Sequence, residues 1–115
     1  MSAARRSPLA AKARVFAALG DETRLQLLAK LGKGRGRSIA ELTQGTDLTR
    51  QAVTKHLRVL QRVRLVHAKR AGRESVFSLD PKPIDELATY LETVSQQWDA
   101  ALARLKFFVE DDHAP

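Results

Sequence analysis

Apolar residues return every third or fourth position through most of this chain and, for one short stretch, every second. Leu9, Val15, Phe16 and Leu19 keep helical spacing up to Gly20, which predicts a short first helix. Asp21 stands where a second helix needs a cap. Leu25, Leu27, Leu28 and Leu31 would give that helix a buried stripe, until the run Gly32-Lys33-Gly34-Arg35-Gly36-Arg37 breaks it. Ser38, with Glu41 at the capping-box spacing, opens a third helix from Ile39 to Gln44, closed by Gly45. After a bend at Thr46 to Leu48, Thr49 caps a fourth. On that helix Ala52, Val53, Leu57, Leu60 and Val63 fall on one side, and Arg50, Gln51, Thr54, Lys55 and Arg58 on the other. One face can pack while the other probes a groove.

Beyond Leu65 the period changes. Val66 and Ala68 alternate with His67 and Lys69, and Val76 and Leu79 lie around Phe77 and Ser78, which predicts two strands joined at Ala71-Gly72. Arg70 and Arg73 flank that turn, so its tip would project positive charge. Pro81 and Pro83 then punctuate the chain. A last stripe follows in Ile84, Leu87, Leu91, Val94, Trp98, Leu102, Leu105 and Val109. A helix of roughly 39 Å, at ~1.5 Å per residue, is too long for so small a domain to cover, so its stripe is expected to meet another subunit. The fold expected is mainly α, an α+β winged helix: a helix-turn-helix, a two-stranded hairpin wing and a long C-terminal dimerisation helix. Residues 1–8 read as a loose basic arm, 9–110 as the domain and 111–115 as a disordered acidic tail.

Charge narrows the partner. The 115 residues carry 20 Lys and Arg against 13 Asp and Glu, a net +7. From Thr49 to Leu79 there are eight basic residues and one acid, Glu74, whereas residues 80–115 hold eight acids and three bases. The positive field is therefore concentrated on the fourth helix and the hairpin, and a localised positive field points to polyanions. Arg, Lys and Gln match guanine and adenine edges in the major groove, and Thr suits phosphates or base methyls. Candidate DNA contacts are thus Thr49, Arg50, Gln51, Thr54, Lys55, His56 and Arg58 on the helix, with Lys69, Arg70 and Arg73 on the wing. His56 lies beside the apolar edge and reads equally well as a packing residue.

Other chemistries find little support. The absence of cysteine excludes disulfides and thiolate metal sites, and His56, His67 and His113 are too scattered to form a ligand cluster, so neither metal nor cofactor is expected. The Gly32 to Arg37 run follows a helix and lacks the Gly-Lys-Ser/Thr ending of a phosphate-binding loop; it reads as a flexible basic connector whose Arg35 or Arg37 touches phosphates. No nucleophile elbow, zinc-protease signature or cysteine nucleophile is present, and no enzymatic activity is expected. Lys12 and Arg14 interrupt any apolar run after Arg5-Arg6, so no membrane partner is expected and the cytoplasm is the default compartment.

Three phrases, ALGDETRLQLLAKL at 18–31, IAELTQGTDLTRQAVTKHLRVL at 39–60 and LVHAKRAGRESVFSL at 65–79, together resemble the ArsR-type (arsenical-resistance-repressor) family of bacterial winged-helix transcription regulators. The resemblance implies a homodimeric repressor on a palindromic operator in double-stranded DNA, joined through its first and last helices. Leu9, Val15, Phe16, Leu91, Val94, Trp98, Leu102 and Leu105 would form the interface. Metal-sensing members carry cysteines in the third helix, where this chain has Glu41-Leu42-Thr43, or an Asp/His set in the last helix. Both are absent here, and the last helix, with Trp98-Asp99 followed by Leu102 and Leu105-Lys106, resembles a metal-free subgroup; the inducer stays unnamed. A further departure is Arg64, where the family commonly has Gly; if a positive φ is still required there, the strain is on the order of 1 kcal/mol, and otherwise the helix exit is reshaped. Two other readings remain open: a winged-helix module that binds an acidic protein, and a sequence-indifferent DNA-packing protein.

Overall fold

A computed structural model describes residues 7–32 and 34–112. They divide at Pro83 into two compact units. Residues 1–6 of the arm expected at 1–8, Lys33 and the end of the tail at 113–115 lie outside the described residues, and Ser7 and Pro8 belong to the start of the first helix.

The first unit begins with α1 (Pro8–Leu19), capped by the Ser7 hydroxyl accepting from the Ala10 N–H at 3.0 Å and started by Pro8, whose missing N–H is no loss in a first turn. Helix α2 (Glu22–Leu31) starts on Asp21, whose carboxylate accepts from the Arg24 N–H at 3.0 Å. Its stripe is narrower than expected: Leu27, Leu28 and Leu31 are buried, whereas Leu25 is 51% exposed. At 100° per residue Leu25 stands well off the line drawn by the other three, so three core positions and not four fit one face.

The Gly-rich run is the largest departure from expectation. Arg37–Ser38 forms a strand, β1, which pairs antiparallel with the outer edge of the hairpin, and the sheet therefore has three strands in the order β1-β3-β2. Gly36 permits this approach, because a Cβ there would collide with the Val76 side chain and lie 3.2 Å from the Phe77 carbonyl oxygen. Arg35 and Arg37 of the run are engaged. Arg37 Nε donates to the Lys30 carbonyl at 3.1 Å, satisfying a C-terminal acceptor of α2, and Arg35 pairs with Glu41 at 3.3 Å.

Helix α3 (Ile39–Thr43) starts at the expected capping box: the Glu41 N–H donates to Ser38 Oγ and the Ser38 N–H to Glu41 Oε1, both at 3.1 Å. The turn that follows uses Gly45 at φ 79° and the Thr46 hydroxyl, which donates to the Thr43 carbonyl. Helix α4 (Arg50–Arg62) is capped by Thr49 and seated by Val53, Leu57 and Leu60, all fully buried. At its exit Arg64 keeps a left-handed backbone, φ 63°. The Arg64 N–H donates to the Gln61 carbonyl and the Leu65 N–H to the Leu60 carbonyl, each at 3.0 Å, while Leu60 and Leu65 bury together as the apolar clasp of this Schellman turn. The exit is not reshaped around arginine; the strained residue is accepted.

The wing is β2 (Val66–Ala71) and β3 (Glu74–Leu79), paired from Val66↔Leu79 to Ala71↔Glu74 and turned at Gly72, φ 64°. Its apolar pattern is inverted in part. Phe77 is the buried residue of β3, with Val76 and Leu79 only partly covered, and on β2 Val66 is buried while Ala68 is exposed. Pairing with β1 gives the Phe77 face a core to enter, which the hairpin alone would lack. At the foot of the hairpin Asp80 accepts from the Lys82 N–H at 3.0 Å and from His67 Nε2 at 2.7 Å. The Lys82 N–H, and then the His67 side chain, hold the Asp80 carboxyl below the usual carboxylate range.

Helix α5 (Lys82–Asp112) crosses into the second unit. Its 31 residues reach about 46 Å at ~1.5 Å per residue, longer than the expected stripe because Lys82, Pro83 and the acidic residues Glu110 to Asp112 are helical too, Asp111 and Asp112 having been expected in a disordered tail. Leu91, Trp98, Leu102, Leu105, Phe107 and Phe108 are all exposed, Trp98 to 64%.

Candidate nucleic-acid interface

Burial of Val53, Leu57 and Leu60 fixes the rotation of α4, and that rotation decides which polar side chains reach solvent. Thr49, Arg50, Gln51, Lys55 and Arg58 are exposed, and Thr54 is partly so. No ion pair among the described residues engages Arg50, Lys55 or Arg58. Their donors are thus available to a ligand. Two hydroxyls carry internal duties. Thr49 Oγ1 accepts from the Ala52 N–H at 3.0 Å, which leaves its proton to donate outward, and the Thr54 hydroxyl donates to the Arg50 carbonyl at 2.7 Å, which leaves a methyl and acceptor lone pairs facing solvent.

His56 stands apart from this group. It is partly buried, and its Nδ1 lies 3.3 Å from Arg24 Nη1 on α2. A guanidinium only donates, so Nδ1 accepts and the ring proton sits on Nε2. Arg24 also donates through Nε to the Ala18 carbonyl at 2.6 Å and through Nη2 to the Ala17 carbonyl at 3.3 Å, and lies 3.9 Å from Asp21. One side chain thereby joins the end of α1, the cap of α2 and the middle of α4. Sequence reasoning did not find Arg24 because its partner is 32 positions away. The Arg24 N–H in the cap, with the guanidinium adding to it, holds the Asp21 carboxyl below its ordinary range.

On the wing Lys69, Arg70 and Arg73 are exposed, and Arg70 Nε reaches the Gly72 carbonyl of its own turn at 3.4 Å. Arg73 comes together with α4. Arg50, Gln51 and Thr54 line a cleft of about 370 Å³ together with Arg73, Glu74 and Ser75 of the wing and Ser38 to Ala40 at the start of α3. The contribution of Ser38 to Ala40 could not be read locally, since it depends on β1 pairing with β3. Among the described residues no three His, Asp or Glu side chains gather as a metal site, and no helix is long and apolar enough to cross a membrane.

A short helix followed by a second whose polar face is exposed, with a basic hairpin sharing a cleft with that second helix, defines a winged helix-turn-helix. The profile of a helix-turn-helix domain matches residues 19–67. A curated relative from Mycobacterium tuberculosis, the HTH-type transcriptional regulator Rv2034, is 36% identical over 89 residues, 77% of this chain and 79% of its own length. An uncharacterized HTH-type regulator of Bacillus subtilis, YuzN, is 37% identical over 79 residues, 64% of this chain and 86% of its own. Among solved structures, an ArsR-like transcriptional regulator from Rhodococcus superposes with a TM-score of 0.78 at 37% identity, covering 87% of this chain and 93% of that one. A homodimeric winged helix-turn-helix DNA-binding domain from Mycobacterium bovis superposes with a TM-score of 0.65 at 25% identity, covering 84% and 89%. The chain belongs to the ArsR-type family of winged helix-turn-helix transcriptional regulators.

Proposed function

We propose that the chain acts as a homodimeric repressor that reads a pseudo-palindromic operator, with Arg50, Gln51, Thr54, Lys55 and Arg58 in the major groove and Lys69, Arg70 and Arg73 gripping the flanking backbone. The observation that carries this reading is the exposure of Arg50, Lys55 and Arg58 without ion pairs on a helix whose Val53, Leu57 and Leu60 are fully buried on the other side. Phosphate contacts set register and base-edge contacts set sequence, and this surface offers donors of both kinds. Thr49 would hold a phosphate, and His56, through its Nε2 proton, would touch one from beside the α2 bracket.

The exposed stripe of α5, Leu91, Trp98, Leu102 and Leu105 with Val94 beside them, would be covered by a second copy, and Leu9, Val15 and Phe16 of α1 would add to that contact. The homodimeric Mycobacterium bovis domain supports two-fold assembly. Half-sites would lie about 34 Å apart, one turn of duplex. Repression would follow from exclusion of polymerase, in the cytoplasm, without catalysis and without metal; the lack of cysteine supports a signal of another kind. Purified protein mixed with fragments of its source genome tests this. Enrichment of one pseudo-palindrome supports the regulator; retention without sequence preference and an unbounded footprint point to DNA packing; no retention leaves an acidic protein as the partner of the basic face.

A further inference from the structure

Glu74 is the one acid between Thr49 and Leu79, where eight bases stand, and the fold brings it into the cleft between the wing and the recognition helix. It opens β3 directly after Arg73, is exposed, and lines the same walls as Arg50, Gln51 and Thr54. No ion pair among the described residues neutralises it. A carboxylate only accepts hydrogen bonds, and nearly everything a duplex presents to this cleft is also an acceptor: phosphate oxygens, guanine O6 and N7, thymine O4, adenine N7. Docking on an arbitrary sequence therefore presses an unpaired negative charge against phosphates or acceptors while stripping its water.

The major-groove donors are the amino groups of adenine and cytosine. Adenine N6 sits beside N7, an acceptor that repels a carboxylate, whereas cytosine N4 has no acceptor on its own major-groove edge. We infer that Glu74 is a specificity-determining residue, which selects a cytosine amino group at one operator position and penalises DNA that lacks it. The inference rests on the DNA-reading function proposed above and deepens it. Arg73 and the other backbone grips of the wing supply attraction that is indifferent to sequence; Glu74 subtracts from that attraction everywhere but at the matching base, and discrimination is a difference of two affinities.

The test takes the selected operator fragment, each base pair of one half-site replaced in turn, and an unrelated duplex of equal length. Binding of the wild-type dimer, E74Q and E74A is followed by fluorescence anisotropy, with circular dichroism confirming the fold. Wild type should lose about tenfold at one C·G pair. E74A should be indifferent to that pair, E74Q should keep only part of the preference through its amide oxygen, and both should bind the unrelated duplex several-fold more tightly. Variants that retain the wild-type base preference at every pair, or that shift operator and unrelated duplex by the same factor, overturn the inference while leaving the regulator intact. Failure of the wild-type protein to prefer any duplex overturns the DNA-reading function itself, and the inference with it.

Discussion

Helices α4 and α5 both carry an apolar stripe at the same spacing, yet one stripe is spent inside the fold and the other, beyond the buried Leu87, is not. Val53, Leu57 and Leu60 are fully buried, whereas Leu91, Trp98, Leu102 and Leu105 are about half exposed or more. Periodicity reports that a face wants cover; it is silent on whether the cover comes from the same chain. The energetic consequences separate accordingly. A buried stripe contributes to the stability of each chain, and an exposed one contributes only when a second molecule arrives.

The largest effect is expected from Leu57→Ala. Removing a fully buried leucine should lower the unfolding free energy by about 2–5 kcal/mol in denaturant titration, with DNA binding lost alongside the fold. Trp98→Ala should do the converse, leaving the helical circular dichroism of each chain in place while weakening self-association by about 2 kcal/mol, roughly thirtyfold, in sedimentation equilibrium. If Trp98→Ala unfolds the chain without changing its assembly, the two stripes are not different in kind. On the polar side of α4, Arg58→Ala should weaken operator binding by about 1–3 kcal/mol with stability unchanged.

The exit of α4 sharpens the comparison at smaller scale. Arg64 holds φ 63° without the glycine that this region favours, so Arg64→Gly should raise stability by about 1 kcal/mol, read as a higher denaturant midpoint at constant slope. The smallest effects lie in pH. Asp21, Glu41 and Asp80 are each held below the ordinary carboxylate range, first of all by a backbone N–H. A folded pKa below the unfolded one gives stability that is present above the unfolded value and lost as pH falls through the folded one. Melting temperature should therefore be level above about pH 5 and decline below about pH 4. Asp80→Asn should flatten part of that decline.

Much of this molecule was legible in its sequence because the governing interactions are local. The Ser38 and Glu41 capping box, the Thr49 cap and the buried edge of α4 depend on residues three or four apart, and all stand where spacing put them. The three-stranded sheet was not legible. Two residues beside a Gly-rich run carry no strand signal, and only the nearness of β3, possible because position 36 lacks a Cβ, turns them into one. The same long-range packing explains Phe77 and the Arg24 bracket on His56. Charge needed structure most. Arg35 and Arg37 counted equally with Arg50 and Arg58 in composition, yet the first pair is engaged by Glu41 and the Lys30 carbonyl while the second faces solvent.

The most direct test is a hydroxyl-radical footprint of the selected operator, with the stoichiometry of the complex measured in parallel by sedimentation. Two chains per duplex and two protected patches on one face, centred about 34 Å apart, are predicted. One chain per duplex, or protection that runs on without a boundary as protein is added, would contradict paired reading by α4.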